Sequence, residues 1–207
     1  DNKIFHNWGE GVGTSLYGNV TPNVKVKGNE IYDNMSGQLY IGNNNHIVVE
    51  QNVIYHTGDP KYYLNVPGWT GCIGIASEDG QRVDDFLITN NIIAGCAGLI
   101  TFGQYVPASQ INNVRIYNNT FLGGGKTLHT GSTSLNNSGL IFANNLSFAK
   151  PGSLPTITGM DFHHNIWSAT PPTNFQGTGD IITSTSGLSN PTYKPQAGTF
   201  DTSSIKL

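Results

Sequence analysis

Apolar and polar residues alternate along this chain in short runs, and the runs repeat. The stretch His46 to Gly58, HIVVEQNVIYHTG, carries one full unit. Ile47 and Val49 alternate with polar neighbours, Asn52 marks a tight corner, and Ile54 and Tyr55 start a second run that ends in glycine. Aligning the chain on that asparagine gives a file of seven: Asn2, Asn29, Asn52, Asn91, Asn119, Asn145 and Asn165. Their successive intervals of 27, 23, 39, 28, 26 and 20 residues fall in or near the range of stacked structural repeats.

The residues five and three before each asparagine are apolar: Val24 and Val26, Ile47 and Val49, Phe86 and Ile88, Val114 and Ile116, Leu140 and Phe142, Met160 and Phe162. Their neighbours are mostly polar, which is the period of a strand with one face turned inward. Two residues after the asparagine comes another inward position, read as Ile4, Ile31, Ile54, Ile93, Phe121, Ser147 and Trp167. A third strand is traced in four units through Val12 and Thr14, Leu39 and Ile41, Ile73 and Ile75, Ala97 and Leu99. No apolar pattern of helical period connects these strands, although parallel strands ordinarily need helical crossovers. A coil in which each strand pairs with its counterpart one turn along removes that need. The pattern therefore predicts an all-β solenoid of about seven coils with three short strands each over residues 1–169. An irregular Thr/Ser/Pro/Gly-rich tail, 170–207, is expected to pack along it. Stacked asparagines are expected to tolerate left-handed backbone at their corner and to hydrogen-bond along the stack.

These strand-Asn-strand units resemble those of right-handed parallel β-helix repeat proteins, and the resemblance covers roughly residues 1 to 169. That broad group includes pectate and alginate lyases, polygalacturonases, uronan epimerases and phage tailspikes. The resemblance implies a right-handed helix, an extracellular polysaccharide as partner, and a secreted or cell-surface location. Catalytic residues do not carry over. Asp84-Asp85 is followed by neither the Gly-His-Gly nor the Arg-Ile-Lys segment of polygalacturonases, no Asp-Pro-His epimerase signature is present, and no lyase pairing of Lys and Arg on adjacent coils with a calcium cluster is found. Fold by itself does not settle activity.

Composition narrows the partners. A net charge of −3 and a charged fraction of 11% give no electrostatic case for nucleic acid or an anionic membrane. No run of about 18 apolar residues is long enough to span a bilayer. The sequence has neither an initiator Met nor a signal peptide, which reads as a mature or excised piece. Cys72 and Cys96 sit in the matching segments Gly71-Cys72-Ile73-Gly74-Ile75 and Gly95-Cys96-Ala97-Gly98-Leu99. If that interval of 24 is one coil, the sulfurs lie about 4.8 Å apart, which suits a disulfide and equally suits two stacked thiols.

Candidate chemistry falls where the corners are long. The insertion Gly58 to Trp69 holds Asp59, Lys61, Tyr62, Tyr63 and Trp69, with His56 just before it. Aromatic rings that cover the apolar faces of pyranoses, beside polar groups for hydroxyls, suit sugar recognition. Gln38 and Tyr40 are expected to point outward beside this loop, over a shallow floor with Gly13, Gly74 and Gly98 in the column of Tyr40. The competing reading is a loop folded on itself that only caps the helix. In the stretch Glu78 to Asp85, Glu78, Asp79, Asp84 and Asp85 suit Ca²⁺ or an acid and base, or else form a solvated acidic turn with Arg82. A third insertion spans Gly103 to Asn112. Glu10 is either a general base or a structural carboxylate bonded to glycine amides. His6, His163 and His164 match no metal spacing. Two functions fit: a protein that binds, and as an enzyme would cleave, a polysaccharide, or a structural subunit that stacks head to tail into a filament or surface layer. The second reading rests on Asn2 standing almost at the start with no capping helix before it.

Overall fold

The computed structural model describes residues 2–14, 21–63, 71–78, 80–104, 106, 108–130, 136–153 and 159–183. All strand pairs in it are parallel and join each strand to its counterpart in the next coil. First strands, leading into the asparagine, include Lys25–Lys27, Asn44–Glu50, Arg82–Thr89, Gln110–Tyr117, Ile141–Ala143 and Asp161–His163. Second strands, leaving it, run Lys3–Phe5, Glu30–Tyr32, Val53–Tyr55, Ile92–Ala94, then the starts of Thr120–Thr130 and Leu146–Ser153, and Ile166–Trp167. Third strands are Glu10–Gly13, Gly37–Gly42, Gly71–Ser77, Gly98–Gln104 and the far ends of Thr120–Thr130 and Leu146–Ser153. The result is a three-sided parallel β-helix.

The core is what the alternation dictates. From the second coil on, the first-strand positions are buried with the single exception of Val24, which is partly so; the second-strand column Ile31, Ile54, Ile93, Phe121, Ser147 and Trp167 is closed to solvent. Burying this one contiguous column of aliphatic and aromatic side chains supplies the driving force for the fold, at about 25 cal/mol per Å² of apolar surface. In the later coils it becomes aromatic, with Phe142 stacked between Phe121 at 5.6 Å and Trp167 at 5.5 Å.

The asparagine file is a continuous hydrogen-bonded ladder. Each Oδ1 accepts both the backbone N–H and the side-chain Nδ2–H of the asparagine one coil earlier; between Asn52 and Asn91 the two bonds are 2.9 and 3.0 Å. The same pair of bonds links Asn2 to Asn29, Asn29 to Asn52, Asn91 to Asn119, Asn119 to Asn145 and Asn145 to Asn165. The left-handed residue at this corner is not the ladder asparagine but the one before it: Gly28, Gln51, Asn90, Asn118, Asn144 and His164 all have φ between 55° and 67°. That residue turns the chain, which leaves the ladder side chain free to point inward. A second left-handed column, Asn23, His46, Asp85, Asn113, Gly139 and Gly159, lies six residues before each asparagine.

The stack continues past residue 169, where the sequence pattern loosens. Ile181–Ile182 pair with Ile166–Trp167, and Asp180 occupies the ladder position after Asn165. Its Oδ1 accepts from the Asn165 backbone and amide, and its Oδ2 from Trp167 Nε1 and Gly177 N–H. Phe175 buries itself against Phe162, with ring centroids 4.8 Å apart.

Register also corrects the reading of the third strands. Gly71 pairs with Gly98 and Ile73 with Ile100, so the residues in register with Ile73 and Ile75 are Ile100 and Phe102 rather than Ala97 and Leu99. The matching cysteine segments are therefore offset from the true pairing by three residues. Cys72 and Cys96 are nevertheless joined by a disulfide, with Cα atoms 5.5 Å apart and both residues fully buried. Gly95, at φ 76°, turns Cys96 inward at the corner before its strand begins. Arg82 to Asp85, expected in a loop, belong to a first strand paired on both sides. Among the described residues no helix is long and apolar enough to cross a membrane.

Candidate functional site

The third strands do not keep strict alternation. At the same place in four successive coils two successive residues are buried: Gln38 and Leu39, Cys72 and Ile73, Leu99 and Ile100, Thr127 and Leu128. The pairing skips the first of each pair, so every strand bends at the same level. Two outward columns flank the bend. One runs Glu10, Gly37, Gly71, Gly98, Lys126; the other runs Gly13, Tyr40, Gly74, Thr101, His129. Gly98 thus stands in the first column, and Thr101 takes the place expected for it beside Tyr40.

Between them lies a groove of about 770 Å³ lined by Glu10, Tyr40, Glu78, Thr101, His129 and a glycine floor. It crosses five strands along the helix axis, a span of about 19 Å from the strand spacing. The glycines make room for the side chains that remain. A Cβ on Gly74 would stand 3.1 Å from the Tyr40 ring, and one on Gly98 would stand 2.6 Å from Thr101 Oγ1. Tyr40 therefore lies across its neighbour's backbone and donates its hydroxyl to Glu78 Oε1 at 2.6 Å. Glu10 Oε1 accepts from Ser36 Oγ at 3.0 Å. At the opposite end His129 has a buried Nδ1 with no hydrogen-bond partner among the described residues. Burial, and then the charge of Lys126, lower its pKa, so the imidazole is neutral near pH 7. The groove thus offers a carboxylate at its first strand, Glu10, another at its middle one, Glu78, and a neutral imidazole beside lysine at its last.

His129 was not singled out by sequence pattern. Its signal was register alone: it falls in the column of Tyr40 once the strands are paired.

The other expected site residues are placed differently. Gln38 points inward, because it is the first of the two buried residues at the bend; it accepts from the Asn34 backbone and amide, both at 3.0 Å. His56 is buried, its Nδ1 accepting Gly58 N–H at 2.9 Å and its Nε2 facing the Tyr62 carbonyl. Burial holds its pKa below the usual value against the opposing pull of that carbonyl and of Asp33. Tyr62 stacks on His6 at 4.1 Å and Tyr63 on His56 at 4.4 Å, while Lys61 pairs with Asp59. These rings close the corner between second and third strands and do not line the groove. Trp69 and Asp79 lie outside the described residues.

The acidic residues do not converge. Glu78 faces the groove, whereas Asp84 and Asp85 sit on a first strand. Asp84 is paired with Arg82 at 2.9 Å and accepts from Asn113 at 2.7 Å. Asp85 is bonded to His46 at 2.7 Å and to Arg115, and the His46 bond, then the Arg115 charge, hold its carboxyl below the usual range. Among the described residues no three His, Cys, Asp or Glu form a metal-binding group.

The family described as right handed beta helix region matches residues 1–147 of the chain. Comparisons with curated proteins and with solved structures find no match.

Proposed function

The chain belongs to the right-handed β-helix family, and from that premise we propose that it is a secreted or cell-surface protein that binds an extracellular polysaccharide along the groove of its third strands. The observation that carries the reading is the groove itself: about 770 Å³, open along the helix axis, floored by glycine and edged by Tyr40, Glu10, Glu78 and Thr101. A long shallow trough with few side chains on its floor suits an extended chain better than a compact small molecule. Its ring, carboxylates and hydroxyl are the groups that meet sugar faces and sugar hydroxyls. The buried Cys72–Cys96 disulfide supports an oxidising compartment. Glu10, Glu78 and His129 are the groups a cleavage reaction would draw on, since acid–base chemistry needs positioned carboxylates or a neutral imidazole.

The test is a glycan array followed by calorimetry, together with reducing-end and unsaturated-product assays on uronans and neutral glucans. Gly13→Trp is the informative variant, because a Cβ at Gly13 meets nothing within 4 Å and the new ring projects into the groove. The expected result is binding by the native chain and its loss in Gly13→Trp, with unfolding unchanged. A glycan that binds both proteins equally, or no glycan at all, removes the proposal.

The rival reading is a filament subunit. It draws on Ile181 and Ile182, whose strand pairs on one side only among the described residues and whose side chains are half exposed. Concentration-dependent assembly in light scattering, abolished by Ile181→Lys, is its expected signature.

A further inference from the structure

Trp8 is the most exposed large apolar side chain among the described residues, with 76% of its surface open to solvent. A tryptophan is rarely left this bare, because its ring buries more apolar area than almost any other side chain. The exposure does not come from a loose backbone. Asn7 donates its N–H and Nδ2–H to Asn34 Oδ1 at 3.1 and 2.7 Å, and its carbonyl accepts Met35 N–H at 3.0 Å. Gly9 O accepts Ser36 N–H at 3.1 Å, and Glu10 is then in register with Gly37. Both flanks of Trp8 are thus tied to the second coil while its ring packs against little. Two residues on, Glu10 lines the groove, so Trp8 stands at the corner where the first coil turns into it.

Resting on the groove reading above, we infer that Trp8 is a sugar-stacking platform that extends the groove beyond Glu10 by one saccharide unit. The ligand is a pyranose chain with equatorial hydroxyls, of the β-1,4-linked kind, because the axial C–H bonds of such a ring form an apolar face on both sides that an indole covers. A backbone pinned on both sides leaves less conformational entropy to lose when a sugar settles on the ring. Glu10 and Ser36 then meet the hydroxyls at the edge of the same unit. The groove holds the inner units and Trp8 the outermost one.

This geometry predicts a dependence on chain length. Trimers and hexamers of β-1,4-glucose and β-1,4-glucuronate are titrated into the native chain, Trp8→Ala and Gly13→Trp, with affinity and tryptophan emission recorded. Trp8→Ala is expected to bind the hexamer about tenfold more weakly while leaving the trimer within about twofold. The hexamer should also shift native emission to the blue, and that shift should vanish in Trp8→Ala. Equal hexamer affinity in native and Trp8→Ala protein, where Gly13→Trp has lost it, overturns the platform and leaves the groove standing. Binding of neither oligomer series also overturns it, while other array hits would still uphold the groove. A change of particle mass in Trp8→Ala without a change in affinity assigns the ring to contact between copies, and overturns it equally.

Discussion

At the scale of single residues, the ladder asparagines differ in worth according to what surrounds them. Asn91 is buried and its side chain serves five bonds: its Oδ1 accepts from Asn52 twice, and its Nδ2 donates to the carbonyls of Val49 and Thr89 and to Asn119 Oδ1. Asn91→Ala strands buried donors and acceptors on both sides and is expected to cost about 3 kcal/mol in urea unfolding. Asn2→Ala, at an exposed position, is expected to cost under about 1 kcal/mol. Equal losses would mean that the ladder is not held by burial. Histidine supplies a second expectation. Burial lowers the pKa of both His56 and His129 from the ordinary 6.5, so the folded chain resists protons that the unfolded chain accepts. Their contribution is whole above 6.5, declines as pH falls below it, and is lost once pH has passed the folded-state values. The lowered carboxylates Asp59 and Asp85 start from 3.8 and Glu50 from 4.5, so they lose their contribution only further down. Tm should therefore be lower at pH 5 than at pH 7, and His129→Gln should shrink the difference. An unchanged difference would detach His129 from the effect. At this scale the inward aliphatics and the ladder were legible, since each repeats at one offset. The left-handed residue before each asparagine was not, because Gln51 and His164 share the place with glycine and asparagine.

At the scale of elements, the first strands follow alternation closely and the third strands depart from it at the bend. Strict period two puts Gln38 outside with Tyr40, whereas two buried residues in succession turn it in. That departure separates the two columns flanking the groove, and local sequence carries no mark of it, since glycine and tyrosine fit either side. The disulfide acts at the same scale, tying a third strand to the corner before the next one. It closes a loop with a sequence separation of 24. Loop-closure entropy gives it about 3.5 kcal/mol. The double variant Cys72→Ala/Cys96→Ala should lose stability of that order and melt first around Gly71–Ser77 and Gly98–Gln104 in hydrogen exchange. Loss spread evenly over all coils would contradict a local tie.

At the scale of the whole molecule, a stack of coils gains stability mainly between neighbours, so the ladder and core add coil by coil. The sequence by itself determined this much. Inward positions recur at fixed offsets from an asparagine, and no helical period interrupts them, so parallel coiling is the arrangement that buries them all. Tertiary structure alone decided which residues face one another across coils. Pairing register depends on insertions of different length between strands, and hydrophobic period does not encode them. The groove, with Glu10 and His129 at opposite ends of five strands, exists only after that register is set. Likewise Asp180 completes a ladder of amides because the last turn carries its carboxylate beneath Asn165, a placement that no repeat in the chain announces.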